Sequence, residues 1–126
     1  MTRILVIDDD AAARAALTCL LTQSGYDVLE AMNGDEGLQR LVDGEPDVLL
    51  VDIFMPVQDG IETIRLVLQA FPQVPIVAMS GGWLTYHADD ILTVARDFGA
   101  QYTFTKPVAP EALLAAVQNV IGTDSE

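Results

Sequence analysis

A chain of 126 residues has room for one domain with a real core, not for a catalytic domain joined to a separate output domain. Its 51% hydrophobic and 20% charged residues exclude wholesale disorder. Nineteen acidic residues against six basic ones, a net charge of -13, argue against direct binding to nucleic acid or anionic membrane and suit cations or basic partner surfaces.

Apolar runs and helical patterns alternate along the chain. Ile4 to Ile7 is a short strand that stops at Asp8-Asp9-Asp10. Residues 11 to 24 carry Leu17, Leu20 and Leu21 at helical spacing and close at Ser24-Gly25, a C-cap signal. Tyr26 to Ala31 is a weaker strand, Asn33-Gly34-Asp35 a turn, and residues 35 to 43 a short helix with Leu38, Leu41 and Val42 on one face. Val48 to Val51 is an unbroken apolar run ending at Asp52, as in strands buried on both faces of a parallel sheet. Residues 61 to 71 form a helix with Ile61, Ile64, Leu68 and Phe71 on its buried stripe, and Pro75 to Met79 a fourth strand. A less regular stretch, Ser80 to Asp90, precedes a helix over Ile91 to Phe98 and a fifth strand over Gln101 to Thr105. Lys106-Pro107 then leads into a last helix from Pro110 to Ile121. The pattern is (βα) five times over. It implies an α/β fold, a doubly wound parallel sheet of flavodoxin-like strand order 2-1-3-4-5. One domain over residues 1–122 and a polar tail over 123–126 is the expected organisation.

The single cysteine, Cys19, allows no internal disulfide and is read as a small packing residue, as are Met32, Met55 and Met79. No apolar run approaches the roughly 20 residues of a membrane span, and Ile4 to Ile7 is too short for a signal peptide. The chain therefore reads as soluble and cytoplasmic.

In an open α/β sheet, ligands bind beyond the carboxyl ends of the strands, at the switch point between the first and third. This chain puts Asp8, Asp9 and Asp10 after its first strand, Asp52 after its third and Ser80 after its fourth. Lys106, the only lysine, follows the fifth. Clustered carboxylates repel one another unless a cation neutralises them, and carboxylate and carbonyl oxygens are what Mg2+ prefers. A cation there can stabilise charge on a transferring phosphoryl group, and Asp52 is placed to act as an oxygen nucleophile. Each residue alone has a plainer reading. Asp10 fits a helix N-cap, Asp8 and Asp9 fit a solvated turn, and a Ser after a strand usually caps a helix. The joint placement at four strand ends carries the functional reading.

These segments resemble response-regulator receiver domains. Ile4 to Asp10 is similar to the family's acidic opening, and Val51-Asp52-Ile53-Phe54-Met55-Pro56 with Asp59-Gly60 to its phosphoacceptor segment. Met79-Ser80-Gly81 matches the Ser/Thr position and Thr105-Lys106-Pro107 the Lys-Pro signature, so the likeness covers about residues 2 to 121. The resemblance implies that Asp52 accepts a phosphoryl group from a sensor histidine kinase or a histidine phosphotransfer protein. Asp9 would ligate Mg2+ directly and Asp8 mostly through water, with Asp52 and the Phe54 backbone carbonyl as further ligands. Ser80 would hydrogen-bond a phosphoryl oxygen, Lys106 would ion-pair with it, and Pro107 would follow a cis peptide bond.

Two departures stand out. The aromatic switch position three residues before the lysine is Thr103, and strand alternation sends the neighbouring Tyr102 to the opposite face, beneath the last helices. The Ser80 to Gly99 stretch is longer than the family's spacing, with Gly81 and Gly82 loosening it. Its Trp83 and Tyr86 either cover an apolar edge or form a partner surface; His87 is a solvated loop residue. Phe54 lacks a polar group to orient water, so it implies slow loss of the phosphoryl group. The expected function is a stand-alone phosphorylation-dependent switch. It assists its own phosphorylation and dephosphorylation but is not an enzyme, and it signals to a downstream target protein. The rivals are a pseudo-receiver that binds protein without phosphate and a small phosphohydrolase, which would want an Asp where Phe54 stands.

Overall fold

The computed structural model describes residues 2–52, 60–80, 99–106 and 108–124. The elements are β1 (Arg3–Ile7), α1 (Ala11–Gln23), β2 (Asp27–Ala31), α2 (Gly34–Gly44), β3 (Val48–Asp52), α3 (Gly60–Ala70), β4 (Ile76–Ser80), β5 (Tyr102–Thr105) and α4 (Pro110–Asp124). The helix expected over 91–98 and the stretch carrying Trp83, Tyr86 and His87 lie outside the described residues. All paired strands run parallel in the order β2-β1-β3-β4-β5, the doubly wound arrangement that the alternation implied. No helix among the described residues is long and apolar enough to cross a membrane.

Strand alternation divides the core into two layers. Leu5, Ile7, Leu49, Val51, Ile76 and Ala78 face Leu41 of α2 and Ile64 and Val67 of α3. Ile4, Val6, Val48, Leu50, Val77 and Met79 face the other way, against Leu21 of α1 and Leu113, Val117 and Val120 of α4. Both faces of the three inner strands are thus covered, which is why they read as unbroken apolar runs. β2 and β5 are the edges. Tyr102 and Phe104 are partly buried against the α1/α4 layer, the side alternation assigned to Tyr102.

The helix ends follow from local chemistry. Asp10 caps α1, its side chain accepting the Ala12 N–H at 3.0 Å. At the other end, Gly25 takes φ +96°, the Tyr26 N–H donates to the Leu21 carbonyl and the Gly25 N–H to that of Thr22. This is a Schellman closure, and Tyr26 packs in the same layer as Leu21. At the opposite rim of the sheet from the Asp10 cap, Arg3 ties three elements together. Its guanidinium donates to Asp27 at 2.8 Å and to the Gly44 carbonyl at 2.6 Å, and its N–H donates to Asp47 at 2.9 Å.

Four expectations are corrected. Cys19 is exposed, because α1 turns Leu17, Leu20 and Leu21 inward and leaves position 19 on the outer side. Val42 is 66% exposed: the buried stripe of α2 runs through Leu38 and Leu41, and one residue further is about 100° around the helix. Met32, 51% exposed, sits in the turn before α2 rather than in the core, whereas Met79 is fully buried. The last helix continues to Asp124, past the Ile121 end that the apolar pattern suggested, into the segment expected to be a tail.

Glu45, the exposed residue that ends α2, is held at φ 48°, in the left-handed region that costs a non-glycine residue about 1–2 kcal/mol. Glycine relieves that cost but loses more entropy on folding. Glu45→Gly is therefore expected to stabilise the protein by up to about 1 kcal/mol, read as a higher urea midpoint at unchanged slope.

Candidate functional site

Four strand ends meet on one rim. Asp8 follows β1, Asp52 ends β3, Ser80 ends β4 opposite Thr105, and Lys106 follows β5. The parallel register sets Ile7 level with Val51 and Asp52 level with Met79, so the acidic residues of β1 and β3 leave the sheet side by side. This is the switch point, where β2 and β3 lie on opposite sides of β1.

Asp8 is fully buried and Asp52 nearly so, at 7% exposure. The Lys106 ammonium lies between them, donating to Asp8 Oδ2 at 2.8 Å and to Asp52 Oδ2 at 3.0 Å. Every polar atom of Asp8 is engaged. Its N–H donates to the Ala31 carbonyl at 3.1 Å and its Oδ1 accepts the Asp10 N–H at 2.9 Å. Its backbone carbonyl accepts Nη1 of Arg14 at 2.7 Å. Asp9, by contrast, is exposed. One carboxylate oxygen from each of Asp8, Asp9 and Asp52 lies within 4.8 Å of the others. Three hard oxygen donors so placed suit a small divalent cation that keeps part of its water shell, which the open side at Asp9 leaves room for.

Burial by itself would lower the pKa of Lys106, but its hydrogen bond to Asp8 and the charge of Asp52 outweigh it and hold the ammonium above its ordinary 10.5. An apolar hollow lined by Ala13, Ala16, Leu17, Met79 and Val108 adjoins the Lys106 stem.

The residues singled out in the sequence thus converge where expected, in part. Asp8, Asp9, Asp52 and Lys106 come together, and Asp10 is the cap it was read to be. The Phe54 carbonyl and Pro107 lie outside the described residues, as does the Ser80 side chain. Arg14 was missed. The signal was available: a long cation in the first turn of a helix points back toward that helix's N-terminus, here the strand end carrying Asp8.

Removing one partner of a buried ion pair leaves an uncompensated charge. Lys106→Met is expected to cost about 3 kcal/mol at neutral pH without added metal, and clearly less in an Asp52→Asn background, measured by a denaturant double-mutant cycle. The raised pKa adds a pH signature. Its stabilisation is complete below 10.5 and is lost as pH rises from there through the folded-state value. Stability of the wild type should therefore fall more steeply than that of Lys106→Met above pH 10.5.

The family model for the response regulator receiver domain matches residues 4–118. The chain is 33% identical over 116 residues to the transcriptional regulatory protein DltR of Streptococcus agalactiae, covering 92% of this chain and 50% of that protein. It is 32% identical over 120 residues to the chemotaxis protein CheY of Thermotoga maritima, covering 94% and 96%. It thus spans about half the length of the first of these relatives and nearly all of the second. Among solved structures, a response regulator receiver domain protein from Clostridium thermocellum superposes with a TM-score of 0.89 at 29% identity, covering 99% of this chain and 98% of that one. Strand order, acidic rim and these likenesses agree: the chain belongs to the response regulator receiver domain family of two-component systems.

Proposed function

We propose that this receiver domain is a phosphorylation-dependent switch that accepts a phosphoryl group on Asp52 from a sensor histidine kinase or a histidine phosphotransfer protein. The observation that carries the reading is the single ammonium of Lys106 held between Asp8 and Asp52 at the rim of the sheet. A lysine kept charged and partly buried there is a standing counter-ion for added negative charge. Asp52 supplies the attacking oxygen: a carboxylate–phosphorus bond forms as the donor's nitrogen–phosphorus bond breaks, and the donor nitrogen keeps the electron pair.

The donor set of Asp8, Asp9 and Asp52 fits Mg2+; the Phe54 carbonyl would be the further protein ligand that the family resemblance implies. Bound there, Mg2+ would supply electrostatic stabilisation of the transferring phosphoryl oxygens. Both Asp8 carboxylate oxygens already accept protein donors, which favours Asp9 as the direct ligand and Asp8 as one acting through water. Lys106 would hold the phosphoryl oxygens and Ser80 would donate to one of them. The domain assists its own phosphorylation and dephosphorylation and is not an enzyme with a turned-over substrate. Its output is binding to a downstream target protein in the cytoplasm, through a shift between two arrangements of the rim.

Incubation with Mg2+ and a small-molecule phosphodonor should add the mass of one phosphoryl group to the intact protein, and none to Asp52→Asn. A wild type that gains no mass would favour the pseudo-receiver, and an unchanged gain in Asp52→Asn would move the site elsewhere. Millimolar Mg2+ should raise the melting temperature of the wild type, since it binds the folded triad and relieves its repulsion. An equal rise in Asp9→Ala would contradict the metal ligation.

A further inference from the structure

The role proposed for the pocket uses Asp8, Asp9, Asp52, Ser80 and Lys106 but gives no task to Arg14, which is built into it. Arg14 is only partly exposed and stands in the first turn of α1. Its Nη1 donates to the Asp8 carbonyl at 2.7 Å, and its Nε donates to Glu30 Oε1 of β2 at 3.1 Å. Its own N–H donates to the Asp10 carbonyl at 2.9 Å, the first bond of the helix. One side chain therefore links the end of β1, the start of α1 and the neighbouring strand. The planar guanidinium makes two bonds from one rigid fork, so fixing Glu30 also fixes the direction of the bond to Asp8.

The acceptor matters as much as the donor. The Asp8 carbonyl belongs to the peptide unit that joins Asp8 to Asp9. That unit is planar, so a grip on its oxygen sets the plane from which Asp9 leaves the chain. Asp9 is the exposed member of the triad, and among the described residues it has neither the burial nor the cation that holds Asp8.

We propose that Arg14 is a positioning residue of the phosphoacceptor pocket: steered by Glu30, it clamps the Asp8–Asp9 peptide and so holds the Asp9 carboxylate in place for a divalent cation shared with Asp52. The inference rests on the reading of the triad as a Mg2+ site. Charge and position make opposite demands on this residue. A guanidinium near three carboxylates repels an incoming divalent cation, so by charge alone its removal tightens Mg2+ binding. If its task is to position Asp9, removal loosens binding, as loss of an outer partner of a metal ligand typically does.

The test is calorimetric titration with Mg2+ alone of the full chain, in the wild type, Arg14→Ala and Arg14→Lys. Urea unfolding in EDTA reports metal-free stability separately. Arg14→Ala is expected to weaken Mg2+ binding about tenfold. Arg14→Lys, which keeps the charge but loses the fork, should weaken it less. Unchanged or tighter binding in a folded Arg14→Ala overturns the proposal, as does a loss confined to the EDTA stability. Should Arg14→Ala not fold, Arg14→Lys decides, and a wild-type affinity there overturns it. A wild type that binds no Mg2+ overturns the metal reading itself, and this proposal with it.

Discussion

A charged carboxylate taken out of water needs a partner that compensates its lost hydration, and here one ammonium meets two. Asp8 and Asp52 are buried at adjacent strand ends, and Lys106 reaches both from the far edge of the sheet. Strands lie about 4.8 Å apart, so β5 is roughly 10 Å from β3 and 14 Å from β1 before twist is counted. Only a long, flexible cation just past a strand end can span that. The rim of β1, β3 and β5 is thereby held by charge as well as by backbone bonds.

The two rims of the sheet are secured differently. At one, Arg3 joins Asp27, the Gly44 carbonyl and Asp47 through bonds that are partly exposed and serve to close the ends of β1, β2 and α2. Half-exposed pairs of this kind contribute little energy each, and their use is to set register. At the other, the interactions are buried and charged, and three acidic side chains crowd together. Crowding of like charge is a cost that a purely structural rim would avoid. It is retained where the fold brings four strand ends together.

The inner strands were legible because burial on both faces forces unbroken apolar runs, as in Val48 to Val51. The site was legible because carboxylates and the only lysine stood at the ends of those runs. What escaped were properties set by angle and by neighbours. Val42 and Cys19 sit one step around their helices from inward-facing leucines, and a short amphipathic pattern does not resolve that step. Met32 is apolar but lies in a turn, where no layer reaches it. Arg14 acquires its meaning only through Glu30, which β2 delivers alongside β1. Pairing between an edge strand and a helix is tertiary information, absent from local spacing.

The bond from Lys106 to Asp8 spans 98 positions of the chain, and that to Asp52 spans 54. Contacts so remote in sequence form late, after the intervening loops have been closed. During synthesis, the three acidic residues emerge long before the cation that bridges two of them. A nascent chain lacking β5 therefore carries its acidic cluster without the ammonium that later joins Asp8 to Asp52. Completion of β5 brings one positive charge to three carboxylates, so the rim stays net negative and receptive to a cation from the medium even in the finished fold.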